Sequence, residues 1–160
     1  MQWLQPKAKR AVSWVAICVA CTAAFEGLRT TVYLDIAGIP TVCFGETKDI
    51  KPGDKFTAEQ CREMLGDRIV RDFGPGVDRC VNHELPPHRK AAYVSFAYNV
   101  GTPTFCKSSI ARYENAGNVQ AACDSLLLYN KARQFGVLQF SRGLHNRRVE
   151  ERKLCLKDIQ

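Results

Sequence analysis

The apolar and polar positions of this 160-residue chain fall into segments with different periods. From Ala11 to Phe25, fifteen residues (AVSWVAICVACTAAF) pass without a charge, which predicts a helix buried over most of its circumference. Two short runs follow, Thr31 to Leu34 and Pro40 to Phe44, on either side of a turn containing Gly38. β-Branched and aromatic residues flanking such a turn predict a small hairpin. Thr57 and Gln60 then give the Thr-x-x-Gln signature of a helix start, and Cys61 to Phe73 carries apolar residues at helical spacing. This helix is expected to join two lobes and to stop at Gly74-Pro75-Gly76, a cluster of helix breakers. Pro86 and Pro87 open a further helix, His88 to Val100, in which Ala91, Ala92, Ser95, Phe96 and Tyr98 suggest a buried element ending at Gly101. Asn118 reads as the N-cap of a helix over Val119 to Tyr129, and Ser141 to Leu156 as the last helix. The fold class that follows is α+β, mostly helical, with a cleft between a small hairpin lobe and a helical lobe.

The first run admits a second reading. Lys7, Lys9 and Arg10 precede it, so a positive flank meets an apolar stretch, as in a targeting signal. As a helix it reaches about 22 Å at ~1.5 Å per residue, short of the ~30 Å hydrocarbon core of a bilayer. With five Ala, one Ser, one Thr and no Leu it is also a weak anchor. Cleavage near Ala23 and Ala24 would leave Glu26 almost at a new terminus, stripped of the helix that should shield it. Three fates stay open: insertion followed by exit from the bilayer and refolding as the first helix, ordinary cleaved export, or a plain core helix. Cys18 and Cys21 on this segment are readable as a redox switch or as small apolar core residues. Lipidation at Cys21 is disfavoured because Cys18, not a branched aliphatic, stands three positions before it.

Glu26, Asp35 and Thr41 bring the first chemistry. Breaking a glycosidic bond takes a carboxyl group still protonated near neutral pH, to protonate the leaving oxygen, and a second group acting from the opposite face of the sugar. Glu26 closes the uncharged run, where desolvation should keep it protonated, whereas Asp35, among Tyr33, Gly38 and Pro40, is expected to be open to water and ionised. Thr41 comes beside Asp35 if the turn folds back, and could hold a water. Two acids nine positions apart are by themselves more often solvated surface charges.

The surrounding residues narrow the choice. The block EGLR, the aromatic-x-Asp of YLD, the Gly-x-Pro-Thr turn and the following Phe-Gly resemble, position for position, the active-site block of the phage-type lysozymes, glycoside hydrolase family 24. The resemblance continues through SFAYNVGTPTF (Ser95 to Phe105), GNVQAACDSLLLYN (Gly117 to Asn130) and NRRVEERKLCL (Asn146 to Leu156), in the manner of the lambdoid signal-anchor-release endolysins. It implies a lysozyme-like two-lobe fold, with residues 1–25 as a signal anchor able to become the first helix and residues 26–160 as the catalytic domain. It also implies a muramidase that lyses the host wall, with Glu26 as proton donor, Asp35 as the carboxylate that activates water or steadies the cation, and Thr41 as the residue placing the water. Arg147 or Arg148 resembles the family's basic residue near the catalytic Glu, and the sequence does not separate the two. Asn99 is a candidate for sugar hydroxyls or for capping its helix. The disulfide pairing implied is Cys43 with Cys61, Cys80 with Cys106 and Cys123 with Cys155. One position departs from the pattern: Gly45 is followed by Glu46 where the family commonly has His.

Composition adds the setting. A net charge of +7 and a pI near 9.1 suit an acidic partner, and between Lys131 and Gln160 eight Lys or Arg stand against Glu150, Glu151 and Asp158. That run can steer the chain to the wall, or be no more than a solvated helix face. By charge alone peptidoglycan, anionic lipid and nucleic acid all qualify; the endolysin resemblance implies peptidoglycan as the substrate and the bacterial inner membrane as the first tether, followed by release in the periplasm of the host. Nucleic acid is disfavoured, since no recognition motif accompanies the charge. Eight cysteines in a short chain argue for an oxidising compartment, and no metal is expected because Cys18 and Cys21 lack a second pair or His ligands. His83, His88 and His145 are scattered and read as surface residues. No cofactor is implied, and the chain is expected to act as a monomer. Two other functions compete: a lytic transglycosylase, which needs a single acid, and a non-enzymatic cationic protein that binds membrane or wall.

Overall fold

The structure is a computed structural model that describes residues 13–159. The basic flank Lys7 to Arg10 and the start of the uncharged run at Ala11 lie outside the described residues. α1 (Trp14–Phe25) leads into the antiparallel hairpin β1 (Arg29–Leu34) and β2 (Pro40–Cys43), with Tyr33 opposite Thr41 and Leu34 opposite Pro40. The segment at Asp54–Phe56 lines the other edge of β1, where Phe56 N–H donates to the Thr30 carbonyl at 2.9 Å. A disulfide from Cys43 to Cys61 ties β2 to α2 (Ala58–Arg68), which starts on the expected capping box: Thr57 and Gln60 each accept the other's backbone N–H. Among the described residues no helix is long and apolar enough to cross a membrane.

Gly74-Pro75-Gly76 does not end the helix. The chain widens into a π-turn over Ile69–Phe73 and re-forms as α3 (Gly74–Asp78), in which Pro75 occupies the first turn and needs no N–H partner. Both glycines serve close packing. A Cβ on Gly74 would meet the Trp14 ring at 2.7 Å, and one on Gly76 would meet Thr102 at 2.8 Å.

The centre of the helical body is α4 (Pro87–Val100), in which every residue from Ala91 to Ala97 is fully buried. A helix apolar all round must be enclosed on all sides. α1, α3, α5 (Thr102–Cys106) and α8 (Arg142–Leu156) pack around α4. α1 itself is only half-buried: Cys18 and Thr22 are enclosed while Ala16, Ala20 and Ala24 face out, because a helix packed on one side needs only one apolar stripe. α6 (Ser109–Asn115) and α7 (Val119–Ser125) complete the body, and α7 gives way at Leu126 to a short 3-10 turn, earlier than the expected end at Tyr129. Disulfides Cys80–Cys106 and Cys123–Cys155 close it. The three pairs are those implied by the lysozyme resemblance.

A second hairpin, β3 (Lys131–Gln134) and β4 (Val137–Phe140), was not foreseen. It turns at Phe135-Gly136, both at positive φ, and stands almost wholly exposed. The histidines are not uniformly superficial. His83 is exposed, but His88 is half-buried with Nδ1 at 2.7 Å from Asp158, and His145 is half-buried beside the Phe140 ring.

Candidate active site

Glu26 is the residue at which α1 ends. Its backbone turns to φ −84, ψ 130 while its N–H still reaches the Thr22 carbonyl at 3.0 Å, so the side chain projects from the last turn of a docked helix. The carboxyl is 28% exposed, and its Oε1 accepts a hydrogen bond of 2.6 Å from Arg147 Nη1. The sequence anticipates an enclosed acid; the structure gives it a guanidinium neighbour and a partly open side, because the apolar run stops one residue before it.

Arg147 is fixed on several sides. It is 5% exposed, donates from Nε to Glu151 Oε1 at 3.1 Å and from Nη2 to the Ser95 carbonyl at 3.1 Å, and lies over the Phe25 ring. Arg148, its neighbour, points elsewhere. It is fully buried against the Phe96 ring and donates to Asn99 Oδ1 at 3.1 Å and Glu151 Oε1 at 3.2 Å. Asn99 is exposed and does not cap its helix through its side chain; its side-chain N–H groups make no hydrogen bond among the described residues.

The hairpin carries the other two residues. Asp35 Oδ1 accepts from the backbone N–H of Ala37 at 2.8 Å and of Ile39 at 2.9 Å, which fixes the carboxylate at the mouth of the turn. Thr41 is buried, and its hydroxyl donates to the Ile39 carbonyl at 2.9 Å. Both side chains are therefore tied to the same peptide residue, and strand alternation puts them on one face as diagonal neighbours. With its proton committed, Thr41 offers lone pairs to a water's hydrogen. No hydrogen bond joins Glu26 to Asp35 among the described residues.

Two features of the setting escape sequence reading. Tyr98 donates from its hydroxyl to the Phe44 carbonyl at 2.6 Å and so clamps α4 to the end of β2. Burial pushes its phenol up to about 12; Arg68 draws it down, Glu26 and Glu46 add to the rise, and Arg147 opposes it. The second is Glu151, whose spacing of four from Arg147 and three from Arg148 was a readable helical signal. Glu46, at the position where the family commonly has His, folds onto its own turn and accepts from Thr47 and Lys48 N–H. Among the described residues no group of His, Cys, Asp or Glu is placed to hold a metal ion.

Comparisons with known proteins bear on the family and the fold. The phage lysozyme family model matches residues 23–151. A SAR-endolysin of Pseudomonas phage phiKMV is 37% identical over 149 residues, covering 89% of this chain and 88% of that protein. A SAR-endolysin of Bacteriophage PS119 is 36% identical, over 82% and 76%. Among solved structures, an endolysin from Escherichia coli O157:H7 phage FAHEc1 superposes with a TM-score of 0.79 at 28% identity, over 99% of this chain and 98% of that one. The muramidase domain of SpmX from Asticaccaulis excentricus gives 0.81 at 27%, over 96% and 99%. A family match across four-fifths of the sequence, joined to a lysozyme-like fold with an arginine-held acid at the end of its first helix, shows that this chain belongs to the phage lysozyme family.

Proposed function

We propose that this chain is an endolysin muramidase that hydrolyses the β-1,4 bond between N-acetylmuramic acid and N-acetylglucosamine in peptidoglycan. Glu26 protonates the leaving oxygen, Asp35 activates a water or steadies the positive sugar, and Thr41 accepts a hydrogen from that water to place it. Asn99 is proposed to meet sugar hydroxyls through its side-chain N–H groups. Arg147 holds Glu26, and Arg148 supports the site from within the body. The observation that carries this reading is the seat of Glu26, a carboxyl with one oxygen fixed by Arg147 and one side open. Mass spectrometry of soluble fragments from purified peptidoglycan tests it: hydrolysis leaves reducing N-acetylmuramic acid ends. Anhydro-muramic ends would instead identify a lytic transglycosylase.

Residues 1–25 are proposed to act as a signal anchor that tethers the exported chain to the inner membrane and then becomes the first helix. The names of the phiKMV and PS119 relatives and the uncharged run support this. Release leaves a monomeric enzyme in the periplasm of the host. Fractionation with N-terminal sequencing, before and after membrane depolarisation, is expected to find the intact N-terminus first with membranes and then in the periplasmic fraction. A mature terminus beginning after Ala24 would sink the proposal.

A further inference from the structure

A proton donor beside a guanidinium poses a problem, because an adjacent positive charge favours the anion. One such charge, Arg147, touches Glu26, a second, Arg148, follows it on α8 and turns into the body, and one buried group contacts both. Glu151 is fully buried. Its Oε1 accepts from Arg147 Nε at 3.1 Å, Arg148 Nη2 at 3.2 Å and the Ser95 hydroxyl at 2.8 Å, and its Oε2 lies 2.8 Å from Arg148 Nε. Burial raises the Glu151 carboxyl above its ordinary range while Arg148, Arg147 and the Ser95 hydroxyl draw it down; each of these neighbours is a hydrogen-bond donor, which is what a carboxylate needs and a neutral acid cannot fully use.

We infer that Glu151 is a positioning residue for the reaction: it fixes the Arg147 guanidinium on Glu26 and cancels the charge of Arg148, so that the acid meets one shared cation and not two. This rests on the reading of Glu26 as the proton donor. Three of the five Arg147 donors have a named task, to Glu26, to the Ser95 carbonyl and to Glu151, so the guanidinium cannot swing to grip Glu26 with both ends while Glu151 holds Nε. Other groups facing Glu151 carry no competing charge. From α4 come Ser95 and, through Arg148, Asn99. From α1 come the Cys18 and Cys21 thiols, and Cys21 donates to Ser95 Oγ at 3.8 Å. Burial keeps both thiols protonated, pushing Cys18 up to about 12 and Cys21 up as well. Around Glu26 itself stand Arg147 and the Tyr98 phenol, which burial keeps neutral. Glu150, the next acid on α8, is exposed and pairs with Lys153.

The test reads the pH dependence of kcat on purified peptidoglycan. In Glu151→Gln the acid faces an uncompensated pair of cations, so the population able to donate a proton disappears at lower pH. The alkaline limb is expected to move toward acid by about one pH unit, with a lower kcat and a KM near the native value. Arg148→Gln removes the opposite charge, and its limb should move toward alkali. The double variant restores charge balance, is tolerated as a buried pair replaced by neutral groups often is, and should return the limb to its native position. A merely structural role would lower the melting temperature and the activity but leave the limb in place. If either folded single variant keeps the native limb, or both limbs move the same way, the inference is overturned. Glu26→Gln run in parallel keeps the two ideas apart: native activity in that variant defeats the acid assignment itself, whatever the limbs do.

Discussion

Replacing Glu26 by Gln is expected to reduce the release of soluble muropeptides by about a thousandfold, within the range for removing a positioned general acid. The amide keeps the shape of the side chain and an oxygen for Arg147 Nη1, but has no proton of suitable acidity to give the leaving oxygen. Stability should change little. Glu26 lies at the rim of the body, and Arg147 retains the Ser95 carbonyl and Glu151, so the lost charge assistance is worth about 1 kcal/mol. Initial rates on purified peptidoglycan, with a thermal scan on the same sample, check both halves. A folded Glu26→Gln protein that still dissolves wall at the native rate would leave a cationic binder as the better description of this chain.

The largest loss of stability is expected far from that chemistry, in Glu114→Ala. Glu114 on α6 is fully buried and holds three partners: Arg89 Nη1 at 2.8 Å, the Tyr93 hydroxyl at 2.6 Å and His83 Nε2 at 2.9 Å. Arg89 is 8% exposed, so truncation strands a buried cation and leaves the Tyr93 hydroxyl without its acceptor. Breaking one side of a buried ion pair costs about 3–5 kcal/mol. For a chain of this size that corresponds to a melting temperature roughly 10 °C lower. Burial is the largest cause holding the Tyr93 phenol well above its ordinary range, and it persists when the Glu114 carboxylate is gone, so this tyrosine cannot ionise to compensate. Because Arg89 and Tyr93 occupy the first half of α4, and Ser95 and Asn99 the second, turnover well below the melting point should stay near native. An unchanged melting temperature measured by circular dichroism would contradict this account. Pairing Glu114→Ala with Arg89→Met should recover much of the loss.

Local chemistry made much of the fold readable. The Thr57 capping box, the Asn118 and Ser141 caps and the buried, mostly apolar run of α4 each act over a few residues, and each forms as the residues suggest. Pro75 misled because a proline breaks a helix only if its missing N–H and its ring leave a neighbouring carbonyl unsatisfied. Here the π-turn hands the Ile69 carbonyl to Gly74 N–H and lets the proline begin a new segment. β3 and β4 were invisible for a different reason: neither face of that ribbon is buried, so no alternation was imposed on KARQ or VLQF. At the site, resemblance supplied the candidate residues, while Arg147 and Arg148 stayed inseparable. Adjacent helical residues point about 100° apart, and which one meets α1 depends on how α8 is rotated in its seat. That rotation is set by Cys155, Ser95 and the Glu151 cluster together, and no single residue announces it.

The docking of α1 also governs sulfur reactivity. Thiol exchange proceeds through the thiolate, and both Cys18 and Cys21 are held in the protonated form while the helix lies against α4. Six other cysteines are already joined in three bridges, of which Cys43–Cys61 and Cys123–Cys155 are buried and Cys80–Cys106 is half-buried, while the first helix carries two free thiols. Seating that helix therefore lowers the thiolate population of both cysteines, which is the form that exchanges with a disulfide.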